Sequence, residues 1–358
     1  PNTKARPMQP ASKNLPTPDF SYNPKTDLVA GIRPYRKVSF RLEAETVAEK
    51  FVVHNYGHGG GGITLALGCA HEVRDIVRAS GRASAATPVA VLGGGIMGLT
   101  AATVLREMGL KVSIYAEALT VTTSDIAGGQ WSPSFVEFGQ TLSDKARFER
   151  ILRRAFRGYV ALIGKGFGVS RRPNFAWRET SGFRKVPTDL IPAPTKLARL
   201  PFKGHIGPGL RYETLLVEPQ IFLPRLRRDL HNAGVAMHKR TFSAPSHVAA
   251  LHEPIVINCT GLGSRRIWRD DQLVPIKGQL IMLPAQPRLQ YLYSGHRGYI
   301  FPRRDHVVVG GTLEHDVDDD TPDPRMCAEI IRLHKVAFAG RLAMLRWALP
   351  GWLYQDYD

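Results

Sequence analysis

Three glycines spaced as GxGxxG stand between an apolar stretch and a segment with helical apolar spacing. They are Gly93, Gly95 and Gly98 in VAVLGGGIMGLTAA. In this arrangement the first glycine permits a tight turn, the second lets a pyrophosphate approach the backbone, and the third lets helix and strand pack closely. The amides at the helix start, Ile96 and Met97 among them, and the positive end of the helix dipole favour a phosphate. The motif predicts a dinucleotide site but does not distinguish FAD from NAD.

An acidic residue follows this motif at the distance expected for ribose recognition. Glu117 comes directly after a strand predicted over Lys111–Ala116, where its carboxylate can accept hydrogen bonds from two ribose hydroxyls. A strand over 89–92 and a helix over 96–108 complete a predicted βαβ unit. The alternative, a glycine turn beside a solvated glutamate, does not account for this ordered context.

A second glycine-rich stretch precedes the first. HNYGHGGGGITLALGCA, residues 54–70, follows the strand-like KFVV and opens a helix predicted over 63–77. Its backbone amides could close on an anionic or polar cofactor. His54 and His58 have a spacing close to that of metal ligands, but in a glycine-rich loop backbone contacts are favoured, and no metal is predicted. The two glycine-lined helix starts lie close together in the chain, and their order needs an explanation.

Two further segments carry features of a nucleotide site. TTSDIAGGQWSP, residues 122–133, combines hydroxyls, a glycine pair and an aromatic residue in a stretch that cannot be regular throughout. VINCTG is an apolar strand ending in Thr260 and Gly261, where the chain could approach a nucleotide a second time. A hydrolase or a nucleic-acid module gives no reason for these pieces to occur together.

Composition excludes several other classes. The 358 residues include 48 lysines and arginines against 31 aspartates and glutamates, a net charge of +17. These charges occur in scattered pairs, so an arginine-rich solvated surface is favoured over nucleic-acid binding. The three cysteines lack CxxC spacing and are expected in the core, in a reducing compartment. Neither a membrane-length apolar run nor a signal-peptide pattern is visible, and a cytoplasmic location is expected.

Many segments together resemble the D-amino acid oxidase family of FAD-dependent oxidoreductases. They span most of the chain beyond residue 28: GIRPYRKVSFRLEAE, HNYGHGGGGITLALGCA, VAVLGGGIMGLTAA, IYAEALTVTTSDIAGGQWSP, SGFRKV, VINCTG, GQLIML and YIFPRRDHVVVGGT. In that family the dinucleotide fingerprint comes first, and the equivalents of GIRPYR and HNYGHGG come last. Here these two come first, joined to the fingerprint through a small-residue linker near 79–88. The sequence therefore resembles a circular permutant of the family.

The resemblance implies an α/β fold with two discontinuous domains. A Rossmann-like FAD-binding domain would comprise residues 50–135 and 225–270, and an antiparallel-sheet substrate domain 27–49, 136–224 and 271–350. The proline-rich residues 1–26 are predicted to be an extended or disordered arm. The strand over 50–54 and the helix over 63–77 would lie beside the fingerprint strand.

The resemblance also implies how the cofactor is held. FAD would bind non-covalently, since no attachment residue is evident. Its ADP half would contact the fingerprint glycines, Glu117 and the Thr260–Gly261 turn. The pyrophosphate and flavin edge would lie along Thr123, Ser124, Gly129 and Gln130. The pyrimidine end of the flavin would meet Gly59, Gly60, Gly61, Gly62, Ile63 and Thr64, where the helix dipole and the Thr64 hydroxyl would stabilise negative charge.

Four residues are implied or considered on the substrate side. Arg33 in GIRPYR matches the arginine that binds the substrate carboxylate with two charge-assisted hydrogen bonds. Tyr299 matches an aromatic strand position near the pocket, with a packed core tyrosine as the alternative. Phe222 stands where the family often has a carboxylate-binding tyrosine, and Tyr212 could supply that hydroxyl instead. Loss of the hydroxyl would also suit a modified amino acid.

The implied activity is oxidation of an amino acid, a D-amino acid first of all. A hydride would leave Cα, dioxygen would become hydrogen peroxide, and the imino acid would hydrolyse to a 2-oxo acid and ammonia. Two alternatives stay open. One is an amine oxidase or dehydrogenase of secondary metabolism acting on an N-substituted or unusual amino acid; the other is a non-catalytic flavin-binding protein. A homodimer also stays open, whereas nucleic acid and membrane are not expected as partners.

Overall fold

A computed structural model of the chain describes residues 14–204, 207–295 and 298–339. Residues 1–13 of the predicted arm and residues 340–350 of the predicted substrate domain lie outside these ranges. The strands are β1 (Leu28–Arg36), β2 (Ala44–Val47), β3 (Lys50–His54), β4 (Pro88–Leu92), β5 (Lys111–Ala116), β6 (Val169–Ala176), β7 (Thr195–Leu197), β8 (Gly209–Val217), β9 (Ala236–Lys239), β10 (Ile255–Asn258), β11 (Leu273–Pro284), β12 (Leu292–Gly295), β13 (Gly298–Pro302), β14 (His306–Gly310) and β15 (Glu314–His315).

The helices match the predicted periodicity at the two glycine motifs. They are α1 (Gly62–Ala79), α2 (Ile96–Glu107), α3 (Thr123–Ile126), α4 (Leu142–Leu162), α5 (Ser181–Arg184), α6 (Pro219–Asn232), α7 (Pro245–Ala249), α8 (Gly263–Trp268) and α9 (Pro324–Phe338), and a single 3-10 turn at Gly59–Gly61 precedes α1. In the described part of the chain, no helix combines the length and apolar character needed to cross a bilayer.

One sheet has the order β2-β3-β10-β4-β5-β9. Its strands run parallel except for β2, which pairs with β3 in the antiparallel sense. Alternate residues of β4 serve two cores: Val89 and Val91 face the cluster that contains α1 and α2, while Ala90 and Leu92 face the cluster that contains Phe242. Burial on both faces explains why this strand is apolar without alternation.

The position of β3 differs from the expectation. β3 was expected beside the fingerprint strand β4, but β10 lies between them and pairs in parallel with both. The helix that follows β3 does reach the fingerprint helix, because α1 packs on α2 and the Thr100 hydroxyl lies 3.4 Å from the Ala66 carbonyl. The segment that precedes β4 in the chain is therefore part of the same sheet.

The second sheet follows the order β1-β11-β14-β13-β12-β6-β8-β7, with β15 paired to β11. Its pairs are antiparallel except for β12 with β6. Between β1 and β2 the chain forms no regular strand. Ser39 and Arg41 make single bridges to Phe138 and Tyr56, and two different partners cannot form one ladder.

Some elements pack outside the domain to which sequence analysis assigned them. β2 lies within 27–49 yet extends the parallel sheet through β3. α4 lies within 136–224 yet packs on α1, where Gly68 leaves room for the Ile151 carbonyl. Glu72 of α1 accepts hydrogen bonds from Arg150 and Arg154 of α4 at 2.9 and 2.6 Å.

The described part of the proline-rich arm is extended and packed. Leu15 donates its backbone amide to the Pro201 carbonyl at 2.7 Å, and Tyr291 donates its hydroxyl to the Pro16 carbonyl. Phe20 is buried against Phe338, with ring centroids 5.8 Å apart. Disorder, the other expectation for this arm, does not hold for residues 14–26.

Candidate active site

Both sheets contribute residues to one cavity of about 740 Å³. Its walls include the turn after β4, the start of α1, the turn after β10, and side chains from β1, β11 and β13. This volume lies within the range of about 300–1,000 Å³ common for ligand pockets. The cavity therefore brings together segments that are far apart in the sequence.

Two of the three fingerprint glycines line the cavity, and the third, Gly98, does not make the contact that was expected of it. Gly93 has a φ of 119°, and a Cβ there would overlap the Cys259 carbonyl at the end of β10. A Cβ at Gly98 would overlap the Gly93 carbonyl, so this glycine serves packing and does not line the cavity. Gly95, Ile96 and Met97 do line it. The start of α2 thus opens on the cavity.

Residues 122–130 form the next part of the wall. Thr123, Ser124, Gly129 and Gln130 all line the cavity. The Ser124 hydroxyl accepts a hydrogen bond from the Ile96 amide at 3.1 Å. Gly129 has a φ of 98°, and a Cβ there would overlap the Val217 carbonyl. The side-chain amide nitrogen of Gln130 is buried without a partner among the described residues, so it can donate to a bound group.

The second glycine stretch also opens on this cavity. Gly59, Gly60, Gly62 and Ile63 line it at the start of α1. Gly59 has a φ of 51°, and a Cβ there would overlap the Phe135 carbonyl. Two helix N-termini, those of α1 and α2, therefore converge on one site. This arrangement favours negative charge at two places along a bound molecule.

Two residues of this stretch lie elsewhere. Gly61 packs on Val136 and does not line the cavity. Thr64 was expected to present its hydroxyl to the cofactor, but it is buried behind the wall. Its hydroxyl donates to the Ser132 carbonyl at 2.8 Å and accepts from the Ser132 amide at 3.0 Å. With both bonds made to Ser132, this hydroxyl holds the two walls together.

The histidines of this stretch contact other side chains. His54 lies 2.7 Å from Glu45 through Nε2 and 3.0 Å from the Asn258 amide through Nδ1. His58 stacks on Phe40 with ring centroids 4.7 Å apart, and burial lowers the pKa of His58 to about 3. The backbone contacts expected for them are not their main interactions. The described residues contain no group of three or more histidine, cysteine or carboxylate side chains placed to hold a metal ion.

The expected nucleotide-binding residues lie together at another part of the cavity. Glu117, Thr260 and Gly261 all line it. The Glu117 side chain is 69% exposed and lies 3.8 Å from Arg266, so its carboxylate is accessible to a ligand. Thr260 donates its hydroxyl to the Asn258 side-chain carbonyl at 2.8 Å, which orients the turn after β10.

Arg33 and Tyr299 meet in the cavity. Arg33 donates to the Thr312 carbonyl at 3.4 Å, and its guanidinium lies close enough to the Tyr299 phenol for its charge to act on that group. Burial raises the pKa of the Tyr299 phenol, while the charge of Arg33 lowers it in part. The Tyr299 ring stacks on Phe301 with centroids 4.3 Å apart. The cavity thus holds a guanidinium next to a phenol, two groups that could both donate hydrogen bonds to a carboxylate.

The other two residues considered on the substrate side do not line the cavity. Phe222 is fully buried in α6, where its ring packs against Tyr159 and Phe167. Tyr212 of β8 stacks on Phe183 with centroids 4.4 Å apart. Both side chains serve the core, because the apolar face of α6 and the inner face of β8 turn toward other elements. The expectations for Phe222 and Tyr212 were wrong, and the absence of a hydroxyl at Phe222 says nothing about the substrate.

Sequence reasoning missed several cavity residues. Leu280 lies two residues after Gly278 on β11, and Phe301 lies two residues after Tyr299 on β13. Strand alternation from Tyr299 could have indicated Phe301. Ser134, Thr180 and Asp320 come from irregular segments, where no periodic signal exists; Ser132, Arg240 and Arg266 also line the cavity.

Comparison with known proteins agrees with this geometry. Residues 88–348 match the family described as FAD dependent oxidoreductase, DAO. The chain belongs to this D-amino acid oxidase family. It is 30% identical to a D-amino-acid oxidase of Streptomyces coelicolor over 250 residues, which cover 68% of this chain and 75% of the relative. It is 32% identical to a D-amino-acid oxidase of Rubrobacter xylanophilus over 260 residues, which cover 68% and 74%.

A solved structure shows the same fold at lower identity. Glycine oxidase from Bacillus cereus superposes with a TM-score of 0.50 at 16% identity, over 70% of this chain and 77% of that one. The cavity of the DAO-family chain fits the FAD that this family uses. Two helix N-termini, glycines without room for a Cβ, and the unpartnered amide of Gln130 supply hydrogen-bond donors to an extended anionic dinucleotide.

Proposed function

We propose that this enzyme oxidises an amino acid, in the first place a D-amino acid, with FAD as cofactor. The observation that carries the proposal is the pair Arg33 and Tyr299 in the same cavity as the starts of α1 and α2. A carboxylate ligand is indicated because a guanidinium offers two parallel donors. Relatives named D-amino-acid oxidase support the choice of substrate class and of its D-configuration.

Residues of both glycine motifs would hold FAD. Gly93, Gly95 and the first amides of α2 would contact the pyrophosphate, with Glu117 at the ribose. Gly59, Gly60 and Gly62 would place the positive end of α1 at the flavin ring. Bound FAD supplies the acceptor for the hydride that leaves the substrate Cα.

The chain itself orients the substrate. Arg33 would bind both carboxylate oxygens, and Tyr299 would donate a third hydrogen bond, so that Cα is held at a defined place in the cavity. Leu280 and Phe301 supply apolar wall next to these polar groups and limit access of water. No acid–base side chain is needed if the amine enters neutral, so positioning by Arg33 would account for most of the rate.

The overall reaction balances with dioxygen and water. The substrate loses a hydride from Cα and a proton from nitrogen, and a carbon–nitrogen double bond forms. Dioxygen takes up these two electrons and two protons and becomes hydrogen peroxide. Water then adds to the imino acid, which yields a 2-oxo acid and ammonia.

Two alternative activities, oxidation of an N-substituted or unusual amino acid and flavin binding without catalysis, have less support than oxidation of a D-amino acid. A modified or N-substituted amino acid was suggested by Phe222, and Phe222 lies outside the cavity. A protein that only binds flavin would have no need for Arg33 and Tyr299 beside the cofactor site. An N-substituted amino acid also carries a carboxylate, so the pair argues against the second alternative only.

The test is peroxide release from the FAD-loaded protein with matched D- and L-amino acids. Release with D-amino acids, abolished in Arg33→Ala at unchanged flavin content, supports the proposal. Oxidation of N-substituted amino acids alone would indicate the first alternative. Flavin bleaching under anaerobic conditions without peroxide in air would point to a dehydrogenase. Normal flavin content without reduction by any substrate would contradict enzymatic oxidation of amino acids.

We also infer that the chain is a circular permutant within its family. The family match begins at residue 88, while β1, β3 and α1 precede it. These three elements nevertheless complete both sheets and one wall of the cavity. An independent N-terminal module with its own ligand would not be expected to do so.

A further inference from the structure

Residues 122–127, hereafter the bridging segment, connect the two halves of the cavity. The Ser124 hydroxyl accepts a hydrogen bond from the amide of Ile96, the first residue of the fingerprint helix α2, at 3.1 Å. The Thr123 hydroxyl donates to the Ile32 carbonyl at 3.2 Å, and Ile32 directly precedes Arg33 in β1. The bridging segment therefore sets the distance between the start of α2, at the dinucleotide end of the cavity, and Arg33, at the proposed carboxylate-binding end.

This segment cannot hold its conformation alone. α3 within it spans only the four residues Thr123–Ile126, too few for a helix that is stable by itself. Val121, just before it, has a φ of 57°, which is costly for a β-branched residue. An anchor from outside the segment is needed.

Arg227 of α6 provides this anchor through Asp125, which lies on the side of the segment that faces away from the cavity. Asp125 carries the contact. It is the one residue of the bridging segment that does not line the cavity. Its two carboxylate oxygens each accept one hydrogen bond from Arg227 of α6, both at 2.9 Å. The amide and hydroxyl of Thr122 donate to the same carboxylate at 2.8 and 2.7 Å. Gln220 of α6 adds a bond to the Asp125 carbonyl at 2.7 Å.

The pair is shielded from solvent. The side chains of Arg227 and Asp125 are 14% and 10% exposed. A two-point contact between a planar guanidinium and a carboxylate fixes an angle as well as a distance. Removal of either partner leaves a charge that is buried and unpaired, which displaces the segment or admits water.

We propose that Arg227 and Asp125 are positioning residues that set the affinity for FAD and the placement of Arg33, although neither touches cofactor or substrate. Through Asp125 the pair holds Ser124 against the start of α2 and Thr123 against β1. The predicted effect on FAD affinity requires only that the chain binds the cofactor of its family. The predicted effect on Arg33 also requires the proposed function.

A matched ion pair on the same helix serves as control. Arg225 and Asp229 of α6 form a salt bridge at 2.7 Å, but their side chains are 30% and 41% exposed and lie outside the cavity wall. The same substitution, arginine to lysine, can therefore be made at Arg227 and at Arg225. Arg227→Lys keeps the charge and removes the second parallel hydrogen bond.

The first test measures FAD binding to apoprotein by flavin fluorescence and the thermal midpoint of the apoprotein. We expect Arg227→Lys to weaken FAD binding about tenfold, because a lysine cannot bind both Asp125 oxygens and the bridging segment loses its fixed orientation. Arg225→Lys should change FAD affinity by no more than about twofold, as expected for a more exposed pair. A lower apoprotein midpoint in Arg227→Lys with unchanged FAD affinity would assign the pair a structural role only and overturn the proposal.

Asp125→Asn tests whether Asp125 affects FAD affinity in the same way. The double variant with Arg227→Lys tests whether the two residues act together. If the two act as one unit, the double variant should bind FAD no more weakly than the worse single variant. Additive losses would contradict a shared role.

With an amino-acid substrate, the KM of FAD-saturated Arg227→Lys should rise more than kcat falls, since Arg33 would be misplaced. Weaker FAD binding without any amino-acid oxidation in the unsubstituted protein would contradict the proposed function and leave the anchor intact. Weaker FAD binding with an unchanged KM would limit the pair to the cofactor and overturn the part that concerns Arg33.

Discussion

The guanidinium of Arg33 in β1 lies against Gly278 of the neighbouring strand β11. A Cβ at Gly278 would overlap both terminal nitrogens of Arg33. The backbones of the two strands pair in regular antiparallel register, so the conflict would concern only the end of a long side chain. Gly278 therefore leaves the space that the guanidinium of Arg33, the proposed carboxylate-binding group, occupies.

Gly278→Ala is expected to impair substrate binding and to spare the fold. The added methyl group should push the Arg33 guanidinium aside, which raises KM for an amino acid about tenfold or more by loss of one of two carboxylate contacts. The thermal midpoint and FAD affinity should change little, since a flexible side chain can move. An unchanged KM would show that Arg33 does not bind the substrate from this position.

Arg33→Ala is expected to lower kcat/KM on the order of 100-fold or more, because it removes substrate binding and substrate orientation together. This corresponds to a loss of a few kcal/mol of transition-state stabilisation. Arg33→Lys should restore only part of the loss, since a point charge lacks the two parallel donors of guanidinium. Steady-state peroxide assays with the best substrate of the panel measure both. Flavin absorbance of each variant serves as the control, and normal kinetics for Arg33→Ala would refute the assignment of the pocket.

Two tyrosine variants separate a cavity residue from a core residue. Tyr299→Phe should reduce kcat/KM about tenfold, the value of one hydrogen bond to a charged group. Tyr212→Phe should leave kcat/KM unchanged, because Tyr212 stacks on Phe183 outside the cavity. A larger loss of kcat/KM in Tyr212→Phe than in Tyr299→Phe would indicate that Tyr212, and not Tyr299, contacts the carboxylate.

The circular permutation predicts that residues 28–80 can be moved to the carboxyl end through a short linker. The rearranged chain should fold, bind FAD and, in the FAD-loaded form, retain the activity of the original order, since β1, β3 and α1 would occupy the same places in both sheets. A chain that lacks residues 28–80 is the control and should bind no FAD. Failure of the rearranged chain to bind FAD, with the original chain binding normally, would contradict the permutation.

Buried neutral histidines predict a loss of stability in mild acid. Burial lowers the pKa of His58 to about 3 and that of His334 to about 4, against 6.5 for the unfolded chain. The unfolded state therefore binds more protons below pH 6.5, and the free energy of unfolding should fall by about 1.4 kcal/mol per pH unit and histidine until the folded pKa is reached.

Urea unfolding between pH 7.5 and 5 measures this dependence. His334→Phe should make it shallower, because the ring lies among Phe20 and Tyr293 and its Nε2 has no partner among the described residues. Equal slopes for the original chain and His334→Phe would show that His334 binds protons equally in the folded and unfolded states, which would contradict the lowered pKa.

Local signals in the sequence were sufficient for β4, α2, β5 and the start of α1. An apolar strand, a glycine turn and a helix with regular apolar spacing depend on residues close together in the chain, and so do the conformations of Gly93 and Gly59. The resemblance of separate motifs to one family further determined that both glycine stretches belong to a single flavoprotein, whatever their order.

Only the tertiary structure decided which side chains face the cavity. Tyr212 and Thr64 have hydroxyls suited to the site, and Phe222 matches a site position of the family. Long-range packing nevertheless turns their strand and helix faces so that they lie in the core or behind the wall. The insertion of β10 between β3 and β4 likewise pairs strands separated by more than one hundred and fifty residues. Such pairings depend on how whole elements bury their apolar faces against one another, and no short stretch of sequence contains that information.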